Sequence, residues 1–194
     1  MKGLLGSLIV FMGMVIVVGA QAQETSTAPA PRSGYSSPVR IIPSFGTASF
    51  GVTTNSTLSN LDKSNAFGVL LDFGGGALAL ETGILSLQTR GDASGGQVAF
   101  QVDSYGVPVL AKYSFSGNPT RGFYAKLGAM PFKPTTNGSN VDVLGVGGVG
   151  AAIPIGANSA IDLDANYNHI LNQNSDLSND YQGYTFLAGL SLGI

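Results

Sequence analysis

The sequence predicts an all-β fold, an eight-stranded antiparallel up-and-down β-barrel that crosses a membrane on its strands, and three observations lead there. The chain ends in "YTFLAGLSLGI", where Tyr184, Phe186, Ala188, Leu190, Leu192 and Ile194 alternate with Thr185, Gly189, Ser191 and Gly193, and only Leu187 breaks step. Successive strand side chains point to opposite faces, so one face is greasy and the other carries almost nothing. A soluble sheet would place Lys, Glu or Arg on that second face, whereas tiny residues fit a cramped inner wall. Secondly, segments of this period recur from Ile41 to the end of the chain, separated by turn residues. Thirdly, no stretch beyond the N-terminal segment approaches the roughly 20 apolar residues of a membrane helix, so a membrane role rests on strands.

The N-terminal segment reads as an export signal. Met1 and Lys2 give a positive start, Leu4 to Val18 is apolar, and Ala20-Gln21-Ala22 is the small-x-small pattern of a cleavage site. The expected division is therefore a signal peptide at 1–22, a flexible lead-in at 23–40 and a barrel at 41–194. The lead-in, "QETSTAPAPRSGYSSPVR", is rich in Ser, Thr and Pro and has no apolar period. The absence of cysteine excludes disulfides, thiolate metal sites, a Cys nucleophile and a lipoprotein anchor. Charged residues make up only 10% of the chain and the net charge is -2, which leaves no basic footprint for a nucleic-acid partner.

The eight segments follow in order. The first, "IIPSFGTASFGVT", sets Ala48, Phe50 and Val52, taken as the greasy outer face, against Thr47, Ser49 and Gly51. In the second, Phe67, Val69, Leu71 and Phe73 oppose Gly68, Leu70 and Asp72. The third sets Leu78, Leu80, Thr82 and Ile84 against Ala79, Glu81 and Gly83. The fourth sets Tyr105, Val107, Val109, Ala111 and Tyr113 against Gly106, Pro108, Leu110 and Lys112. In the fifth, Phe123, Ala125, Leu127 and Ala129 oppose Tyr124, Lys126 and Gly128. The sixth, about 141–155, is so glycine-rich that its phase stays open. The seventh sets Ile161, Leu163, Ala165 and Tyr167 against Asp162, Asp164, Asn166 and Asn168, and the eighth is the C-terminal segment.

The connections support a membrane barrel. Long polar stretches such as "TNSTLSNLDKSN" and "LNQNSDLSNDYQ" tend to alternate with tight ones such as "GGG" and "GANS", the asymmetry of transmembrane barrels with short periplasmic turns and longer outer loops. A two-residue turn at Gly75-Gly76 would set Asp72 opposite Ala79 and Leu70 opposite Glu81, all on the inner face. Phe73, Tyr113 and Phe123 near the turns, and Tyr167 and Tyr184 near the loops, stand where interfacial aromatics belong.

With these strands in place, the stretch "YGVPVLAKY" at 105–113 and "LALETGILSL" at 78–87 resemble strands of the small outer-membrane barrels of Gram-negative bacteria, the group of OmpA-like, opacity-like and PorT-like barrels. The resemblance spans about 41–194. It implies an outer-membrane monomer with both termini in the periplasm and four loops outside. Members usually end in Phe, and this sequence ends in Ile194.

The inner-face charges Asp72, Glu81, Lys112, Lys126, Asp162 and Asp164 are the leading site candidates, read as a structural network that pairs inside the wall. An eight-stranded barrel has room for little beyond its own side chains, so such groups leave bulk water and must pair. No catalytic, cofactor-binding or metal-binding set is expected. His169, the only histidine, is followed by Leu171 where the His-x-Ser pair of lipid A deacylase barrels would need Ser. The glycine clusters lack the Lys-Ser/Thr ending of a phosphate loop, and "NQNSDLSND" lacks EF-hand spacing. The expected function is non-enzymatic: envelope structure or surface interaction through the loops, with outer-membrane lipid and an extracellular ligand as partners. The alternatives are a narrow solute or ion channel and, behind it, a lipid-modifying enzyme.

Overall fold

The computed structural model describes residues 38–54, 57–60, 62–91, 100–135, 141–172 and 181–194. The signal segment 1–22 and the lead-in to residue 37 lie outside them, as do the cores of three of the four long connections. Among the described residues eight barrel strands follow the chain: β1 (Val39–Thr54), β2 (Thr57–Asn60 and Asp62–Phe73), β3 (Leu78–Gly91), β4 (Phe100–Gly106 and Val109–Ser114), β5 (Gly122–Pro134), β6 (Asp142–Pro154), β7 (Ser159–Asn172) and β8 (Tyr181–Gly193). Each pairs antiparallel with its neighbours in sequence, and β8 pairs with β1, which closes the sheet. Closure removes every strand edge and satisfies the ladder internally, the condition for crossing hydrocarbon on strands.

Strand β4 is a single strand interrupted at Val107-Pro108. The pairs Leu85–Gly106 and Thr82–Val109 keep one register across the gap, because Pro108 removes a donor without adding a residue. The Val107 amide still donates to the Pro131 carbonyl at 2.9 Å.

The outer faces expected for β2, β3, β4, β5, β7 and β8 are the outer faces found, with Phe67, Leu80, Val109, Phe123, Leu163 and Phe186 exposed and Ala66, Ala79, Leu110, Tyr124, Asp162 and Leu187 beside them buried. Leu187, out of step in the C-terminal pattern, is a lumen residue. The open phase of β6 is settled: Leu144, Val146, Gly148, Gly150 and Ala152 alternate on the inner side.

Four expectations are corrected. Ala48 and Phe50 point inward and are almost fully buried, while Phe45, Thr47 and Ser49 face out. Period two tells which residues share a face but not which face is the lumen, and this half of the lumen is apolar. The stretch "TNSTLSNLDKSN" is largely strand: Thr57–Asn60 pairs with Gly51–Thr54, so the hairpin continues beyond the expected barrel rim. The β2–β3 connection runs over Gly74–Ala77, with Phe73 opposite Leu80 and Asp72 opposite Glu81, two residues from the expected register. A shift of two preserves the face of every side chain, so the inner set survives while its partners change. Finally, the first strand begins at Val39 rather than Ile41, which brings Arg40 into the wall.

The lumen is thus two layers. Toward the loops lies an apolar cluster that includes Phe50, Leu70, Leu87, Leu110, Met130, Phe132, Leu144 and Leu187. Toward the turns lies a charged layer.

Candidate functional site: the charged lumen layer

The charged layer begins with two unfavourable adjacencies. Asp72 stands directly opposite Glu81 across β2 and β3, and Lys112 directly opposite Lys126 across β4 and β5. Like charges facing across a ladder repel, and all four side chains are buried. The barrel resolves this by curvature, which turns the acidic pair toward the basic pair. Lys112 Nζ lies 3.0 Å from Asp72 Oδ2, 3.6 Å from Glu81 Oε2 and 3.5 Å from Asp162 Oδ2. Lys126 Nζ donates to Glu81 Oε1 at 2.8 Å and Oε2 at 3.0 Å, and lies 2.8 Å from Asp164 Oδ1. All six residues named from the sequence therefore meet in one layer.

Two members were missed by sequence reading. Arg40, fully buried, donates to Asp72 Oδ2 and, through its other terminal nitrogen, to the Pro119 carbonyl at 2.6 Å. The second contact ties β1 to the β4–β5 turn, where Pro119 and Thr120 are buried although they belong to a connection. The signal for Arg40 was its place one residue before the apolar run, hidden by the polar lead-in. Tyr124 was placed on the inner face but given no role. Its hydroxyl donates to Asp164 Oδ1 at 2.8 Å, and its ring lies 4.1 Å from Lys112 Nζ in a cation–π contact.

The glycines of β6 make room for this. A Cβ at Gly150 would sit 2.4 Å from the Tyr124 ring, and one at Gly148 would sit 2.1 Å from Asn166 Oδ1. Both are closer than any real contact, so the inner positions 148 and 150 of "GVGGVG" are glycine because the neighbouring side chains Asn166 and Tyr124 lie across them. No phosphate cradle is involved.

Between the charged and apolar layers runs a polar step in which Asn168 Nδ2 donates to Thr185 Oγ1 at 2.8 Å. The free space here, bordered by Leu70, Glu81, Pro108, Leu110, Asn166 and Leu187, measures about 20 Å³. That is room for about one water molecule. The closed lumen, the sequential antiparallel strands and the apolar outer face together define the architecture, and it recurs among solved structures. Neisserial surface protein A superposes with a TM-score of 0.54 at 15% identity, over 81% of this chain and 98% of that one. The fold is that of a small eight-stranded outer-membrane barrel. Two further barrels align at lower scores: the outer membrane protein OprG from Pseudomonas aeruginosa (TM-score 0.44, 12% identity, 82% of this chain and 97% of that one) and Ail, the attachment invasion locus protein of Yersinia pestis, solved with the heparin analogue sucrose octasulfate (0.45, 16%, 79% and 97%). No protein-family model and no curated protein matches this sequence.

His169 lies on the outer side of this barrel, its ring stacked on Tyr167 with centroids 6.4 Å apart. Its Nδ1 has no hydrogen-bond partner among the described residues. Among those residues no group of His, Cys, Asp and Glu is arranged to hold a metal ion. The possible calcium stretch "NQNSDLSND" falls mostly outside them.

The pairing of Glu81 gives a direct test. Glu81→Ala is expected to lower the stability of the folded barrel by about 1–3 kcal/mol, because Lys126 loses two buried hydrogen bonds. Glu81→Gln is expected to lose less, since the amide oxygen still accepts and the repulsion from Asp72 is gone. Denaturant midpoints in detergent micelles read the difference, and a Gln variant as unstable as the Ala variant contradicts it.

Proposed function

We propose that this chain is a non-enzymatic barrel of a Gram-negative outer membrane, exported by a cleaved signal and monomeric, which supports the envelope or engages surfaces through its loop-bearing end. The observation that carries the reading is the filled lumen. Ion pairs occupy the turn side, Leu, Met and Phe side chains the loop side, and about 20 Å³ separates the layers. A path for hydrated ions needs a continuous polar opening, and an eight-stranded wall has little interior to spare.

The outer face supports the membrane assignment. Leu78, Leu80, Val107, Val109, Ile161, Leu163 and Phe186 are exposed with no charge among them. Phe73 and Phe123 stand exposed near the turns, and Tyr167 and Tyr184, 5.3 Å apart, near the loops. This is an apolar band with aromatic borders. Loops carried on a rigid scaffold are common sites of recognition, and the turn side is spanned by short connections sealed by Arg40.

The experiment has two arms. Cell fractionation is expected to recover the protein with the outer membrane after a high-salt wash, migrating differently on gels before and after boiling. Purified protein in planar bilayers is expected to show no steady conductance. Recovery as a soluble periplasmic protein overturns the membrane assignment, and ion-selective channels that change with Lys112→Glu replace the closed barrel with a channel.

A further inference from the structure

The outer wall of the barrel is not evenly convex. An apolar trough of about 810 Å³ crosses it from Leu190 on β8 to Tyr105 on β4, bordered by Phe45, Phe67, Val69 and Ile84. Its shape comes from one hydrogen-bonded row. Phe45 pairs with Phe67, Phe67 with Ser86, Ser86 with Tyr105, and Tyr105 with Lys133. In this row Phe67 and Tyr105 are 49% and 55% exposed while Ser86, between them, is only 5% exposed. Two aromatic rings therefore stand as walls over a serine floor, and Gly68 and Gly83 also border the trough.

The row ends on a cation. Lys133 is exposed, points outward next to Tyr105, and makes no ion pair among the described residues. It lies at the loop-side end of β5, one residue from the strand's close at Pro134. On the outer face the sequence of surfaces is therefore hydrocarbon trough, aromatic rim, free ammonium, and this matches an amphiphile with an apolar chain and an anionic head. We propose that the trough is a lipid seat, holding an acyl chain between Phe67 and Tyr105 with the lipid phosphate on Lys133. The proposal rests on the membrane reading above and adds to it a selective position on an otherwise unselective wall. The chain would be excluded from water, and the single lysine would bias the choice toward anionic lipid by about fivefold, the contribution of one basic residue near a charged membrane surface.

The test uses the folded mature protein in neutral detergent micelles carrying equal amounts of phosphatidylglycerol and phosphatidylcholine, with retained lipids counted by native mass spectrometry. The wild type is expected to retain one lipid, phosphatidylglycerol over phosphatidylcholine by about fivefold. Ser86→Leu, which fills the floor without adding charge, is expected to lose the retained lipid of either kind. Lys133→Gln is expected to keep a lipid and bring the ratio near one. Equal retention in all three proteins, or a dimer in place of a retained lipid, overturns the seat. Gel migration with and without boiling is read on the same samples: a protein that never forms the heat-modifiable species strikes the membrane reading, and a folded barrel without lipid preference strikes this proposal alone.

Discussion

Lys112→Met is expected to destabilise the barrel by on the order of 3–5 kcal/mol, the cost of removing one partner from a buried ion pair. Its ammonium is shared by Asp72, Glu81 and Asp162. Without it, Asp72 and Glu81 keep Arg40 and Lys126 but face each other directly with nothing between them. Asp162 fares worst, because neither of its oxygens has a hydrogen-bond partner and Lys112 is the cation beside it. Met fills similar volume, so the loss reports charge rather than a cavity. The double variant Lys112→Met with Asp162→Asn is expected to recover part of the loss, since removing both members of a buried pair costs less than removing one. Urea midpoints of the refolded proteins in micelles measure both. Equal loss in the single and double variants would show that Asp162 is not coupled to Lys112.

Leu163→Arg is the second large effect, expected at about 2–4 kcal/mol if the outer face meets lipid, because a guanidinium at the bilayer midplane loses its hydration. Leu163 is exposed and lies four residues from Ser159 at the turn end of β7 and four from Tyr167 near the loop end. Ser49→Arg, also outward but beside Tyr184 at the loop-side border, is expected to cost about 0–1 kcal/mol, since the penalty falls toward the interface. In a water-soluble barrel both positions would accept Arg freely. Refolding yield into lipid vesicles and the denaturant midpoint there give the comparison, and equal tolerance at the two sites would remove the membrane from the account.

Much of the charged layer was legible in the sequence because it rests on parity. Asp162 and Asp164 share a face with Asn166, and Glu81 shares one with Ala79, whatever the strands pair with. The apolar half of the lumen was not legible. Phe50 and Ala48 look lipid-facing by composition, and they turn inward because Leu187, Leu70 and Leu144 form an apolar cluster there that accepts them. Arg40 was hidden for a related reason: its value comes from Asp72 and Pro119, which are 32 and 79 residues away in sequence.

What the sequence determined by itself is the local part: strands rather than helices, the number of barrel strands, and which side chains on each strand share a face. These follow from a two-residue period that needs no partner. The tertiary structure decided the face of β1, the phase of β6 and the register of the β2–β3 hairpin, and through that register the confrontation of Asp72 with Glu81. A shift of two residues changes nothing that alternation can detect, yet it changes every cross-strand neighbour. Closure of the ring, where β8 must meet β1 while seven other ladders hold their pairing, selects one register, and that selection places Lys112 within reach of three carboxylates.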